Sequence, residues 1–406
     1  MPFSELQLRL DARAALGLLR TRHTLETPQS PHIVVDGKPY LAFCSNDYLG
    51  LANHPQLIKA LQNGAAQWGA GAGAAHLVSG HFAPHHRLET RLAEFAGKPA
   101  ALLFSSGYMA NLGVVQALVG KGDTVFADKL NHASLNDAML LSRAQIKRYR
   151  HNDIAQLGQL LVKVPGGRKL IITDAVFSMD GDLASLPELL ALCEHHDAWL
   201  LVDDAHGFGV LGEQGRGVLF QQENEKGGER RVKSNCGSAT LPPSPFSSNP
   251  RIIYMATLGK AAGVSGAFVA AEQVVIDTLI NHARSYVYTT ATPPALSAAL
   301  LESLALIAQG DDRRARLQQR IAQLRDGLTG LPWQLMPSDT AIQPLLIGES
   351  RRAVQLSDSL RRSGIWVAAI RPPTVPQGTA RLRITLSAAH TQADVRQLIG
   401  ALHDAR

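Results

Sequence analysis

The chain has 406 residues, 45% of them hydrophobic and 18% charged, which predicts a globular protein with one large domain and one smaller domain. Its net charge of +6 is scattered along the chain rather than gathered with aromatic residues into a stripe, so a nucleic-acid partner is not expected. The sequence has no apolar signal core and no run of 18 apolar residues, and its three cysteines lie far apart, so we expect a cytoplasmic protein without a membrane span, a disulfide framework or a metal site.

Residues 1–50 are predicted to form an N-terminal arm. Leucines recur among charged residues from 4 to 22, which predicts a helix whose apolar face needs a partner surface. Arg20 near its end is either a solvated side chain or a cation suited to an anionic substrate tail. Residues 40–50 are typical of a short strand broken by turn residues, among which Asn46 is compatible with a plain turn.

The next part of the chain, residues 51–290, is predicted to be the large domain of an α/β protein. Its glycine-rich segment 69–80 is not interpreted as a dinucleotide-binding loop, because it follows a helix-like stretch rather than a strand. From about residue 87, helical and short apolar segments alternate. This alternation predicts a mostly parallel sheet flanked by helices on both faces.

Polar groups follow several of these apolar segments. The turn Ser105–Asn111 is rich in small donors and should begin a helix, where backbone amides hold a phosphate with the help of the helix dipole, although an ordinary helix cap is compatible with the same residues. His132 follows a later apolar segment, where its ring is either stacked on a cofactor or simply packed. Ser178 is similarly placed, with a plain turn as the alternative.

An acidic pair ends the apolar run Leu200–Val202. Ligands bind at strand ends in α/β proteins, so Asp203 is a candidate for holding the pyridine nitrogen of pyridoxal phosphate, and His206 for its phenolic oxygen. A buried carboxylate keeps that nitrogen cationic, as an electron sink requires. Asp204 should point elsewhere, because neighbouring side chains alternate along a strand. A metal site is the weaker alternative, since no other ligand falls at a suitable spacing nearby.

Lys260 is the candidate for covalent chemistry. It stands among small residues directly after the apolar run Ile252–Ala256, which is predicted to be a buried strand. Desolvation lowers the pKa of a lysine, so a lysine in a cleft there can be a neutral amine that forms a Schiff base with an aldehyde. A solvated loop lysine is the alternative for this segment alone. Because the polar ends of several strands converge on one cleft, we interpret these groups together as one site.

The chain resembles the α-oxoamine synthases, the fold type I pyridoxal phosphate enzymes that join an amino acid to an acyl thioester with loss of carbon dioxide. The motifs that carry the resemblance stand in the family's order: Ser45–Gly50, His132–Ser134, Val176–Gly181, Asp203–Gly207 and Thr257–Lys260. The later segments Ile370–Pro376 and Gly378–Arg383 are similar to those of members that condense L-alanine with a pimeloyl thioester, carried by CoA or by a carrier protein.

This resemblance implies an acyltransferase that uses pyridoxal phosphate. Lys260 is then the Schiff-base lysine and the base that removes the Cα proton. Asp203 holds the pyridine nitrogen and His206 the phenolic oxygen, while His132 stacks on the ring. Further cofactor contacts are implied for Gly107, Tyr108, Ser178 and Thr257 and, from a neighbouring subunit, for Thr289 and Thr290. A homodimer with shared active sites is therefore expected.

The resemblance also implies the substrate contacts. Arg383 grips the carboxylate of the amino acid, a bidentate task for which lysine is a poor substitute. Asn46 and His132 lie near the amino acid, and Arg20 and Thr374 near the acyl substrate. Relatives that use glycine, 2-amino-3-oxobutyrate CoA ligase and 5-aminolevulinate synthase, share the cofactor motifs and stay open as alternatives. A noncatalytic scaffold subunit of the same fold is a further alternative.

Two regions complete the prediction. The connection between His206 and Lys260 is longer than the resemblance implies, and the excess, residues 221–250, is charged and then rich in serine and proline, which predicts an exposed and mobile insert. Residues 291–406 begin with two prolines and a long helix rich in alanine and leucine and then return to strands. We expect them to form a smaller α+β domain that closes over the cofactor.

Overall fold

The computed structural model describes residues 2–16, 18–221 and 246–405. Of the predicted insert 221–250, residues 222–245 therefore lie outside the described part. Among the residues described, no helix is both long enough and apolar enough to cross a bilayer.

The N-terminal arm consists of one helix and one hairpin. Helix α1 (Ser4–Ala15) is exposed along its whole length. It is shorter than the predicted helix 4–22, and Gly17, a poor helix former, follows in the sequence. Strands β1 (His32–Val35) and β2 (Lys38–Ala42) pair antiparallel. They are joined by Asp36 and Gly37, whose positive φ angles of 48° and 73° are those that an Asp-Gly hairpin turn adopts.

A seven-stranded sheet forms the centre of the fold. Its strands are β3 (Ala100–Phe104), β4 (Thr124–Asp128), β5 (Gln145–Tyr149), β6 (Lys169–Asp174), β7 (Trp199–Asp203), β8 (Ile252–Thr257) and β9 (Ala267–Ala271). The spatial order is β3-β9-β8-β7-β6-β4-β5, and β4 to β8 are parallel, whereas β9 runs antiparallel to its two neighbours. The prediction of a mostly parallel sheet is confirmed, and the polar turns after β6, β7 and β8 meet at one edge.

Helices cover both faces of this sheet, as an apolar parallel sheet requires. They are α2 (Pro55–Trp68), α3 (Ala83–Ala96), α4 (Gly107–Leu118), α5 (Ala133–Ser142), α6 (Ile154–Val162), α7 (Leu186–His196), α8 (Gln273–His282) and the short α9 (Arg284–Val287). Successive residues of β6 enter opposite cores: Leu170 and Ile172 pack with α4 and α5, and Ile171 packs with the core that includes α3 and α7. The alternation follows from the two-residue period of a strand.

The C-terminal part of the chain contains helices and an antiparallel sheet. Its elements are α10 (Pro294–Ala308), α11 (Asp311–Gly327), β10 (Gln334–Leu335), β11 (Ile342–Gly348), α12 (Ser350–Arg362), β12 (Ile365–Trp366), β13 (Ala368–Ile370), β14 (Ala380–Thr385) and α13 (Gln392–Asp404). The sheet order is β10-β11-β14-β13. Strand β12 instead pairs in parallel with β2, which ties this region to the N-terminal hairpin. The domain boundaries at residues 50 and 290 stay predictions.

A partly buried histidine joins the ends of three strands. Nδ1 of His151, after β5, lies 3.2 Å from both carboxylate oxygens of Asp128, and its Nε2 lies 2.7 Å from Oδ2 of Asp182. Burial alone would lower the pKa of His151, but the hydrogen bonds and charges of the two carboxylates outweigh it and raise the pKa to about 10. At neutral pH the imidazolium therefore holds the end of β4, at Asp128, and the segment after β6, at Asp182, together.

Replacing His151 by glutamine is expected to lower the free energy of unfolding by about 2 kcal/mol at pH 7, since it removes hydrogen bonds between charged groups. The pKa of His151 in the folded protein is above the 6.5 of a free histidine, so its contribution is complete below pH 6.5 and is lost as the pH rises through about 10. Urea unfolding at pH 7 and pH 10 measures this. A wild-type advantage of equal size at both pH values would contradict the prediction.

Candidate active site

Lys260 lies in the turn directly after β8, and its side chain is partly buried. Its Nζ is 2.8 Å from Nε2 of His206. Burial lowers the pKa of Lys260 to about 8, although the nearby charge of Asp203 acts in the opposite direction. The structure therefore brings together the lysine and the two polar groups predicted after β7, and it gives the amine a proton affinity suited to exchange near neutral pH.

A chain of hydrogen bonds leads from Lys260 across the cleft to Arg383. The ammonium of Lys260 donates to Nε2 of His206, whose Nδ1 lies 2.6 Å from the hydroxyl of Tyr48. This hydroxyl donates in turn to Oδ1 of Asn46 at 3.1 Å. Because Nε2 of His206 accepts, the ring proton is on Nδ1 and is donated to Tyr48.

Arg383 closes the other end of this chain. It lies on β14, is only 7% exposed, and donates from both terminal nitrogens to Oδ1 of Asn46 at 3.3 and 3.4 Å. Its Nε donates to the carbonyl of Ser178 at 2.6 Å. Burial and the positive charges of Lys260 and Arg383 lower the pKa of His206 well below its usual range, so its ring is neutral.

Asp203 is held at the end of β7 by two donors. Its Oδ1 accepts from the backbone amide of Ala205 at 3.0 Å, and its Oδ2 accepts from the side chain of Asn111 at 2.8 Å. Asp203 is 4% exposed. Asp204 points away from this group, as predicted, and accepts from the hydroxyl of Tyr254 at 2.7 Å. The two neighbouring acids thus have separate environments, and only the first belongs to the cleft.

His132 caps the N-terminus of α5 and lies in the same cleft. Its Nδ1 is 2.8 Å from Oγ of Ser134, and its backbone amide donates to Asp174 at 2.7 Å. Burial lowers the pKa of His132, against the charge of Asp203. Burial together with the charge of Asp203 raises the pKa of Asp174 well above its usual range. Asp174 thus supports His132 through the backbone amide and is more easily protonated than an exposed aspartate.

The start of α4 forms a concave group of backbone amides beside Thr257. Ser106 caps the helix by accepting from the amide of Met109 at 3.3 Å. The amides of Gly107 and Tyr108 are in the first turn, where they have no acceptor within the helix. A Cβ on Gly107 would lie 2.5 Å from Cγ2 of Thr257, so no larger residue fits there. The predicted phosphate-binding turn therefore packs against Thr257, which stands three residues before Lys260 in the sequence.

The remaining predicted residues lie in three places. Thr257 donates to the carbonyl of Ala205 at 3.3 Å, which keeps it in the cleft. Arg20 and Thr374 line one pocket of about 270 Å³ along β13, together with Arg371. Strand β13 pairs with β14, and Ala368, which precedes the pocket residue Ala369, is opposite Arg383. Thr289 and Thr290 follow α9 at the surface, and their predicted contact with a neighbouring subunit stays a prediction.

Three residues of this site were given no role from the sequence. Tyr48 links His206 to Asn46, Asn111 holds Asp203, and Asp174 holds His132. Each stood within or next to a segment that had been singled out. The signal that could have found Asp174 is its place at the end of a buried strand, like that of Asp203; Tyr48 and Asn111 carry no comparable signal.

Comparison with known proteins agrees with this geometry. A family model for aminotransferases of class I and II matches residues 38–402. The 8-amino-7-oxononanoate synthase of Nitrosomonas eutropha is 60% identical over 395 residues, which cover 97% of this chain and 97% of that protein. The 8-amino-7-oxononanoate synthase of Nitrosomonas europaea is 58% identical over 401 residues, which cover 99% and 98%.

Two solved structures share the fold. Serine palmitoyltransferase from S. paucimobilis, with bound PLP-myriocin aldimine, aligns with a TM-score of 0.88 at 28% identity over 99% of this chain and 97% of that one. The 8-amino-7-oxononanoate synthase of Francisella tularensis aligns with a TM-score of 0.73 at 31% identity over 90% and 97%. The chain belongs to the aminotransferase class I and II family and, within it, to the 8-amino-7-oxononanoate synthases.

Proposed function

We propose that this chain catalyses the pyridoxal phosphate-dependent condensation of L-alanine with a pimeloyl thioester. The products are 8-amino-7-oxononanoate, carbon dioxide and the free thiol, in biotin synthesis. The observation that carries the proposal is the partly buried amine of Lys260, 2.8 Å from His206, in a cleft that also contains the carboxylate of Asp203. A scaffold protein has no use for such an amine.

The residues of the cleft fit pyridoxal phosphate. Asp203 would pair with the ring nitrogen and His206 with the phenolic oxygen, while His132 would lie against the ring face. The amides of Gly107 and Tyr108 at the start of α4 would hold the phosphate. The hydroxyls that would join them are those of Ser178, Thr257 and, from a second subunit, Thr289 and Thr290. When bound, the cofactor supplies an electron sink for the negative charge that develops on Cα of the amino acid.

Lys260 moves the proton at Cα of L-alanine. An amine with a pKa of about 8 both takes and returns a proton near neutral pH, which the removal and the later return of that proton require. Neutral His206 accepts a hydrogen bond from this amine and fixes its position. Asp203, with both of its oxygens already accepting hydrogen bonds from Ala205 and Asn111, keeps its carboxylate in place as a fixed negative charge.

Arg383 binds the carboxylate of L-alanine beside Asn46. The acyl chain then extends toward the pocket with Arg20 and Thr374, where the guanidinium groups suit the distal carboxylate of a pimeloyl group. Either CoA or a carrier protein is suited to present this thioester.

Replacing Arg383 by lysine is expected to raise KM for L-alanine about 10- to 100-fold, because an ammonium cannot make the paired hydrogen bonds of a guanidinium. Steady-state kinetics at saturating thioester measures this. The matched control is Arg381→Lys, on the same strand, which disrupts a buried ion pair with Asp180 at 2.5 Å; it should lower the stability and leave KM within about threefold. Equal increases in KM for the two variants would count against the assignment.

A homodimer with shared active sites is part of the proposal. Helix α1 has no buried residue, and Leu6, Leu8 and Leu10 are 52%, 69% and 47% exposed, which supports a second subunit as the partner of this apolar face. We place the enzyme in the cytoplasm, in keeping with the free thiols of Cys44 and Cys193. The proposed domains are the arm 1–50, a cofactor-binding domain 51–290 and a small domain 291–406.

The test is the product formed from each amino acid. Purified protein with pyridoxal phosphate and pimeloyl-CoA, or the pimeloyl carrier protein in parallel, should convert L-alanine to 8-amino-7-oxononanoate, detected by mass spectrometry with release of carboxyl-labelled carbon dioxide. Product from glycine alone would favour the glycine-using relatives. Absence of both product and the yellow colour of the bound cofactor would favour a scaffold subunit.

A further inference from the structure

A cavity of about 650 Å³ lies beside the start of α3. His81, His86 and Glu89 line it, and their ligand atoms all lie within 4.8 Å of one another. Nε2 of His81 is 3.8 Å from Oε2 of Glu89. His86 and Glu89 are three residues apart on one helix, so their side chains share a face, and His81 reaches the same face from the chain just before the helix.

Each end of this cluster is held by a further contact. Nδ1 of His81 lies 3.0 Å from Nδ1 of His76, whose ring stacks on Tyr286 at an interplanar angle of 10°. Oε1 of Glu89 accepts from the backbone amide of Leu103 at 3.0 Å, which leaves Oε2 directed toward His81. Metal-binding histidines and carboxylates in proteins are oriented by such outer contacts, and a proton on Nδ1 of His81 leaves its Nε2 free to bind an ion.

A second set of three histidines lies in the same region, but one of them already uses both of its ring nitrogens in hydrogen bonds. His76, His81 and His85 also have ring nitrogens within 4.8 Å of one another. However, Nδ1 of His85 accepts from the backbone amide of Phe82 at 3.0 Å, and its Nε2 donates to the carbonyl of Thr292 at 2.9 Å. Both nitrogens of His85 are thus used to fix the start of α3, and His85 is excluded as a ligand.

We propose that His81, His86 and Glu89 form a site for a divalent transition-metal ion, and zinc matches two imidazoles and one carboxylate best. Zinc bonds of about 2.0–2.1 Å place neighbouring ligand atoms about 3.3 Å apart in a tetrahedron, so the three side chains close on the ion by about 1 Å. His81 and His86 are exposed, so the fourth position is open to water. The ion fastens the turn before α3 to the helix, independently of the condensation at Lys260.

The test is zinc affinity of the full-length holoenzyme. After removal of metal with a chelator, titration with zinc against a chromophoric chelator should give one ion per chain. His86→Gln and Glu89→Gln should each weaken zinc binding at least about 100-fold. In Glu89→Gln the side-chain oxygen still accepts the hydrogen bond from the amide of Leu103, so the fold is retained. The matched control is His195→Gln, which removes an exposed histidine beside His196 on α7 and should leave the affinity unchanged.

Cobalt gives a second readout that does not depend on the fold of a variant. Cobalt in the wild-type protein should show the visible absorption of a four-coordinate ion, and His86→Gln should lose it, while His76→Gln should retain it with an affinity about tenfold weaker. Failure of the wild type to bind one zinc ion would overturn the site. So would wild-type affinity in His86→Gln combined with loss of binding in His76→Gln, which would assign the ion to the other set.

Discussion

Replacing Lys260 by alanine is expected to reduce turnover by at least about 10⁴-fold, at the upper end of what a positioned base contributes. The variant also loses the amine through which the cofactor is attached covalently. Turnover of L-alanine with pimeloyl-CoA measures the first effect. Mass spectrometry after borohydride reduction measures the second, since the wild-type chain should gain the mass of the reduced cofactor and the variant should not.

Lys98→Ala is the matched control for this prediction. Lys98 is also a buried lysine, and burial lowers its pKa to about 8, but its ammonium donates to the carbonyl of Asn249 at 2.7 Å. Its replacement should lower the stability and leave the covalent attachment intact. A Lys260→Ala protein that retained wild-type turnover would overturn the assignment of the site.

Replacing Asp203 by asparagine is expected to lower kcat about 10³-fold, the size of effect seen when one preorganised electrostatic partner is removed from an active site. The amide keeps the shape of the side chain and loses the charge that holds the ring nitrogen protonated. The charge of Asp203 also raises the pKa of Lys260, so its removal should lower that pKa below about 8. The limb of the pH–rate profile that reports Lys260 should shift to lower pH.

The neighbouring acid provides the control. Asp204 accepts hydrogen bonds from Tyr254 and from the amide of Val218, and burial raises its pKa to about 7. Asp204→Asn should therefore change the stability and leave kcat within a few-fold of the wild type. If kcat falls as much in Asp204→Asn as in Asp203→Asn, the assignment of Asp203 alone to the active site is wrong.

The strands and their polar ends could be predicted because the signals are local. Short apolar runs followed by acids, histidines and small residues mark the ends of β7 and β8, and the parallel sheet brings those ends to one edge. Lys260 and His206 were therefore placed in one site, and the hydrogen bond between them is a finding of the structure. The predicted helix extended to residue 22, but α1 ends at Ala15. The prediction was too long because leucines at helical spacing continue past the glycine that follows.

The supporting contacts could not be predicted because they join distant parts of the chain. Tyr48 and His206 are 158 residues apart, and Asn111 and Asp203 are 92 apart. No local pattern predicts these contacts, because they depend on how α4 and the segment after β2 pack against the sheet. The cluster of His81, His86 and Glu89 was not predicted, although the spacing of its residues is local.

The charge of Arg383 couples the proton affinity of the free Lys260 amine to whatever pairs with the guanidinium across the cleft. The positive charge of Arg383 lowers the pKa of Lys260. A carboxylate that pairs with Arg383 cancels part of this charge, so the proton affinity of Lys260 rises when the amino acid arrives. By thermodynamic linkage, binding of a carboxylate at Arg383 in the protein without cofactor is expected to be accompanied by proton uptake around pH 8.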